Sequence, residues 1–189
     1  MQRRSYRSVA LPASAILAAF AWCALTVNAA PRGTTTNSAT TYYNERYGFS
    51  LNLPADVSKP GNAGNPDLGG LWTSPDGQAR LIAVAIENTA GDSLSTYRSF
   101  VIEQSYKTAK FDYTPVRGNW FVLSGILDDR IFYERITFAC NGQYIYGWQL
   151  QYPVAERKLY DRIVEDIHRN YRPGRGENGR CGRSPRGPT

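Results

Sequence analysis

The chain has 189 residues, a formal net charge of +6, 42% hydrophobic and 13% aromatic residues, three cysteines and one histidine. That size and apolar content fit a single folded domain and exclude wholesale disorder, collagen-like repeats and a coiled coil. One histidine and scattered cysteines argue against a zinc or haem centre, and no cofactor is expected.

The positive charge sits at the two ends. Arg3, Arg4 and Arg7 precede an uncharged run over residues 9–27. Arg172, Arg175, Arg180, Arg183 and Arg186 follow Tyr171 with Glu177 as the one accompanying acid. Between Pro31 and Tyr171 the balance is 14 bases against 15 acids, so a nucleic-acid-binding surface on the domain is not expected. Basic residues, an apolar run and the small residues of Val27-Asn28-Ala29 form the pattern of a secretory signal peptide. It is expected over residues 1–29, with cleavage after Ala29 and a periplasmic or secreted location. The competing reading is a membrane-tethered protein that keeps the run as an anchor, since 18 or more uncharged apolar residues can span a bilayer. Pro12, Ser14 and Thr26 interrupt the run.

Loss of Cys23 with the signal leaves Cys140 and Cys181, and an oxidising compartment permits their pairing. A Cys140–Cys181 disulfide is therefore predicted, with two free thiols as the alternative. Residues 30–41, rich in Thr, Ser and Asn, read as a flexible leader, residues 42–172 as the domain, and residues 173–189 as a disordered basic tail with a possible anchor at Cys181.

Within the domain, Phe49-Ser50-Leu51-Asn52-Leu53 alternates apolar and polar residues, the pattern of a half-buried strand closed by Pro54. Residues 57–70, with four Gly and two Pro, read as loop. Strands follow over 71–74 and 79–87, joined by the turn Pro75-Asp76-Gly77. A helix over 94–106 opens at Ser93 or Asp92 and gathers Leu94, Tyr97, Phe100 and Val101 on one face. Strands are expected over 111–116, 120–127, 130–140 and 143–152. The last three are linked by Asp128-Asp129 and Asn141-Gly142, the latter a strong hairpin signal because both residues tolerate positive φ. A helix over 154–170 carries Tyr160, Ile163, Val164 and Ile167, with Tyr171 continuing the spacing. The order β-β-β-α-β-β-β-β-α predicts an α+β domain with a mainly antiparallel sheet of about six to seven strands and two main helices.

Tyr43-Asn44-Glu45-Arg46-Tyr47-Gly48-Phe49-Ser50 with Pro54, then Ser74-Pro75-Asp76-Gly77, Trp120-Phe121-Val122-Leu123-Ser124-Gly125 and Phe132-Tyr133-Glu134-Arg135 resemble an uncharacterised family of exported proteobacterial proteins. The Gly-Phe-Ser…Pro opening and the element order are also similar to the PsbP/Mog-like fold of photosystem and Ran-binding proteins. That resemblance implies an α/β/α sandwich without an agreed catalytic site, and it carries over no functional residue.

Pairing across the two short turns sets Ala139 opposite Tyr144, Thr137 opposite Tyr146, Arg135 opposite Trp148 and Tyr133 opposite Leu150. One face then collects Trp120, Tyr133, Tyr144, Tyr146, Trp148 and Tyr152 around Arg135. The other collects Phe121, Leu123, Phe132, Ile136, Phe138 and Ile145 as plain core. A one-residue slip of any strand exchanges its faces. The first set, read functionally, is an aromatic platform with one cation, with Trp120, Tyr133, Arg135, Tyr144, Tyr146 and Trp148 as binding residues. The structural reading is a second core layer under a helix.

Catalytic signatures are nearly absent. His168 falls near a helix C-terminus, where the helix dipole favours it. Asp128-Asp129 lacks calcium-loop spacing, and Gly125, within a strand, is expected to mark a bulge. These features favour an exported, non-enzymatic binding module of the envelope or extracellular space, with a protein or glycan as partner. The Arg-rich tail offers possible contact with an anionic surface. Two alternatives stay open: a small hydrolase-like enzyme using loop carboxylates, and the tethered form with its N-terminal segment retained.

Overall fold

A computed structural model describes residues 40–182; the expected signal peptide, most of the leader and the last seven residues lie outside them. The strands are β1 (Thr40–Tyr43), β2 (Ser50–Leu53), β3 (Lys59–Pro60), β4 (Gly69–Thr73) and β5 (Arg80–Glu87), followed after the first helix by β6 (Lys110–Tyr113), β7 (Val116–Arg117), β8 (Trp120–Leu127), β9 (Arg130–Ala139) and β10 (Tyr144–Pro153). The helices are α1 (Leu94–Ser105) and α2 (Arg157–Asn170). An eight-stranded antiparallel sheet runs in the order β3-β4-β5-β10-β9-β8-β6, with β7 also pairing β8; β1 and β2 form a separate hairpin. The protein is thus α+β with a mainly antiparallel sheet and two main helices. β1, β3 and β7 are short additions that carry too few alternating residues to stand out in the sequence. None of the helices among the described residues is long and apolar enough to cross a membrane.

Turn chemistry sets the register. Asp128 and Asp129 take φ +48° and +62°, and Asn141 and Gly142 take +55° and +86°. In the second turn the Gln143 N–H donates to the Cys140 carbonyl at 3.2 Å. Short polar side chains and glycine adopt this left-handed backbone at low cost, and the twist it imposes matches that of the flanking strands. Every predicted partner pair follows: Ala139 with Tyr144, Thr137 with Tyr146, Arg135 with Trp148 and Tyr133 with Leu150. Gly125 corrects one expectation. The irregularity lies in the neighbouring strand, between Phe111 and Tyr113, and a Cβ on Gly125 would stand 2.1 Å from the Lys110 carbonyl oxygen. The glycine serves close approach of two backbones rather than a bulge of its own.

The helices cover opposite faces of the sheet. α1 begins at Ser93, whose Oγ accepts from the Thr96 N–H at 3.1 Å. It buries Tyr97 and Val101 against Phe121, Leu123, Phe132, Ile136 and Phe138. α2 buries Tyr160, Ile163, Val164 and Ile167 in the second core, with Leu81, Tyr146, Trp148, Leu150 and Phe49. At roughly 1.5–3 kcal/mol for each fully buried large side chain, these two clusters are the main source of stability.

The segment after α2 departs from the expected disordered tail. Gly174 and Gly176 are buried, and the Gly176 N–H donates to Tyr146 Oη at 2.8 Å. The Asn178 N–H donates to the Arg46 carbonyl at 2.7 Å, and Arg46 Nε pairs with Glu177 at 2.9 Å. Cys140 and Cys181 are joined as predicted, with their Cα atoms 5.1 Å apart. Pro and Gly in this stretch give no periodic signal because its order comes from backbone hydrogen bonds to the domain, which a pattern of side chains does not encode.

Candidate functional site

Strand alternation places Trp120, Tyr133, Arg135, Tyr144, Tyr146 and Trp148 on one face, as expected. Tertiary packing then divides them. Tyr144, Tyr146 and Trp148, on the central strand β10, are buried beneath α2, the β1–β2 hairpin and the C-terminal segment. Tyr146 is fully enclosed and donates to the Tyr47 carbonyl at 3.3 Å. For these three the second core layer is what the packing forms. Trp120, Tyr133 and Arg135, on β8 and β9, remain half-exposed because α2 leaves that side of the sheet open.

The open strip carries a site that the sequence pairing only half reveals. The Arg135 guanidinium carbon lies 4.8 Å from the Trp120 ring centroid and 5.8 Å from that of Tyr171. Its Nη1 stands 3.2 Å from His168 Nε2 and 3.4 Å from Nδ1. Tyr133 Oη lies 3.1 Å from His168 Nδ1, and the Tyr133 ring stacks on Trp148 at 5.1 Å. Arginine can only donate, so the shorter contact makes Nε2 the acceptor and assigns the His168 proton to Nδ1, which donates to Tyr133 Oη. The Tyr133 hydroxyl proton is then free to point outward. Tyr113, 53% exposed, extends the strip on the outer strand: it pairs with Ser124, which pairs with Tyr133. Arg157 of α2 reaches Asp112 of β6 at 3.6 Å, spanning from the helix to the outer strand.

Electrostatics favour a neutral imidazole. Burial first, and then the Arg135 charge, hold His168 below its ordinary pKa. Burial pushes the Tyr133 phenol up to about 12 despite the opposing pull of Arg135. Among the described residues no carboxylate forms an ion pair with Arg135. Glu103 lies on α1 across the sheet, and Glu134, next to Arg135 in sequence, points to that same opposite face. Arg135 Nε and Trp148 Nε1 are buried without a hydrogen-bond partner. The buried Thr137 hydroxyl and the Tyr171 phenol are neighbours and serve each other as hydrogen-bond partners.

His168 and Tyr171 were not in the sequence-derived set. Their signal is the helical spacing itself. His168 falls four residues after the buried Val164 and next to Ile167, on the flank of the α2 stripe, and Tyr171 ends that stripe.

A second polar group lies on the opposite face. Glu134 is 2% exposed in the α1 core, and Tyr106 accepts a hydrogen bond from Gln149 beside it. Burial raises the Glu134 carboxyl to about 7, partly offset by a hydrogen bond from Tyr106. Among the described residues there is no cluster of three or more His, Cys, Asp and Glu that could hold a metal.

No family model matches the chain, and no curated protein matches it in sequence. Solved structures do. The solution structure of cyanobacterial PsbP (CyanoP) from Synechocystis sp. PCC 6803 is similar with a TM-score of 0.53 and 11% identity, over 77% of this chain and 98% of that one. The Ran-binding protein Mog1p of Saccharomyces cerevisiae has a TM-score of 0.49 and 9% identity, over 74% of this chain and 96% of that one. A Mog1 point mutant gives 0.49 and 9%, over 73% and 96%. At these identities the likeness concerns architecture alone, and by its likeness to CyanoP this chain has the PsbP-like fold.

Proposed function

We propose that this chain is an exported, non-enzymatic binding module of the cell envelope or extracellular space, and that Trp120, Tyr133 and Arg135, joined by His168, form its recognition surface. The observation that carries the reading is Arg135: a half-buried cation walled by two aromatic rings, with no carboxylate among the described residues to balance it. A charge withdrawn from water costs free energy unless paired, so the missing counter-charge points to a ligand. The disulfide supports an oxidising location. Arg175 and Arg180 are exposed on the ordered part of the tail and suit a weaker contact with an anionic surface.

The test is capture. Mature chain beginning at Ala30 is immobilised and exposed to envelope and secreted fractions of the producing cell, beside Trp120→Ala and Arg135→Met variants. Retention of a protein or glycan by the parent chain and its loss in both variants is the expected result. Equal retention by all three removes this surface from the function. N-terminal sequencing of the exported protein tests the cleavage; a chain still beginning at Met1 would favour the tethered form.

A further inference from the structure

We propose that the Arg135 site takes a carboxylated saccharide, its carboxylate meeting Arg135 and its ring lying against the Trp120–Tyr113 rim; the proposal rests on the recognition surface described above. The site has a surplus of donors. Nη1 of Arg135 is turned to His168 and Nε is buried, which leaves Nη2 as the outward donor. The Tyr133 hydroxyl proton joins it once His168 Nδ1–H serves the phenol oxygen. Behind them the Trp148 indole N–H also lacks a partner, and that residue is over nine-tenths buried. The one nitrogen acceptor in the cluster, His168 Nε2, is already used by Arg135. A ligand must therefore bring acceptors and negative charge, and a carboxylate supplies both in the planar form that guanidinium matches best.

The rim selects what carries the carboxylate. Tyr113 is largely exposed, Trp120 is half-exposed, and Ser124 and Tyr133 present hydroxyls between them. Flat aromatic faces with hydroxyl groups at their edges suit a pyranose ring, which offers C–H faces to stack and hydroxyls to bond. An acidic peptide would gain from apolar pockets for its neighbouring side chains, and the exposed Val116 pairs with Phe121 and so belongs to the opposite face of the sheet.

The experiment titrates glucuronate, glucose, chloride and a Glu-containing tetrapeptide into the mature, disulfide-bonded chain, followed by calorimetry and by NMR of the Trp120 indole and His168 imidazole signals. The expected result is saturable glucuronate binding that moves both signals, at least tenfold weaker for glucose and for Arg135→Gln. Equal glucose and glucuronate affinity would overturn the carboxylate assignment. Chloride producing the same shifts would reduce the site to a generic anion hole, and tetrapeptide binding with glucuronate silent would assign it to a protein partner; either result overturns the saccharide. Silence from all four ligands, with partner capture still lost in Trp120→Ala, would sink the ligand class while leaving the recognition surface intact.

Discussion

The two faces of the sheet are made from the same three strands, β8, β9 and β10, yet they handle polarity in opposite ways. On the α1 face, rings and aliphatic chains close around Glu134, Tyr106 and Gln149, leaving that carboxyl 2% exposed among apolar neighbours. On the α2 face, the polar residues collect at the edge that the helix does not reach, and Arg135 keeps a route to solvent. Adjacent residues, Glu134 and Arg135, therefore have opposite fates because strand geometry sends consecutive side chains to opposite faces. The difference teaches where function is to be sought: an enclosed acid responds to pH through stability, and an open cation without an ion-pairing carboxylate is where we propose that a ligand binds.

The largest expected effect concerns the strap that closes the α2 face. Cys140→Ser opens a loop of 41 residues in sequence separation. It should cost about 4 kcal/mol on the chain-entropy estimate, measured by denaturant unfolding without reductant. A loss below about 1 kcal/mol would show that the segment after α2 holds by its hydrogen bonds alone. Gly174→Ala probes the same strap from within. A Cβ there would stand 1.8 Å from the Tyr47 carbonyl oxygen, so about 1–3 kcal/mol should be lost as the backbones separate.

The α1 face is sharpened by Glu134→Gln. The folded-state pKa, about 7, lies above the ordinary carboxyl value of 4.5. The protonated form is thus favoured in the folded protein, and the associated stability is present below pH 4.5 and lost as pH rises through 7. Glutamine should gain about 1–2 kcal/mol over the parent at pH 8 and flatten that limb in thermal melts recorded across pH. His168 has the opposite sign. Its pKa is held below 6.5, so the unfolded chain takes up the proton first and stability falls as pH drops below 6.5. His168→Gln should remove that acid limb alone. The smallest stability change belongs to Arg135→Met, within about 1 kcal/mol, because the lost cation–π contacts are offset by relief of an unpaired charge. A large destabilisation by this variant would make Arg135 a structural residue and blur the contrast between the faces.

Much of the fold was legible because its signals are local. Alternation over β8–β10 and the turn residues Asp128-Asp129 and Asn141-Gly142 specify register, and register specifies faces. The disulfide followed from counting cysteines after removal of Cys23. Of the binding set, Trp120, Tyr133 and Arg135 stand at an accessible site, whereas Tyr144, Tyr146 and Trp148 share their face and lie in the core. Alternation says which way a side chain points, and it is silent on how far a helix extends over it. The joining of His168 to Tyr133 and Arg135, 35 and 33 residues earlier in the chain, likewise depends on where α2 settles.

By itself the sequence determined the antiparallel meander, the two helices, the sidedness of every residue on the hairpins and the Cys140–Cys181 pairing, all consequences of short-range backbone preference, periodicity or simple counting. Only the tertiary structure decided which half of the aromatic face is covered, that the Gly-rich segment after Tyr171 is strapped to the domain, and that Arg135 and His168 meet with no carboxylate among the described residues ion-paired to Arg135. Those outcomes follow from the packing of one helix and one ten-residue strap onto a sheet whose width exceeds what they can bury.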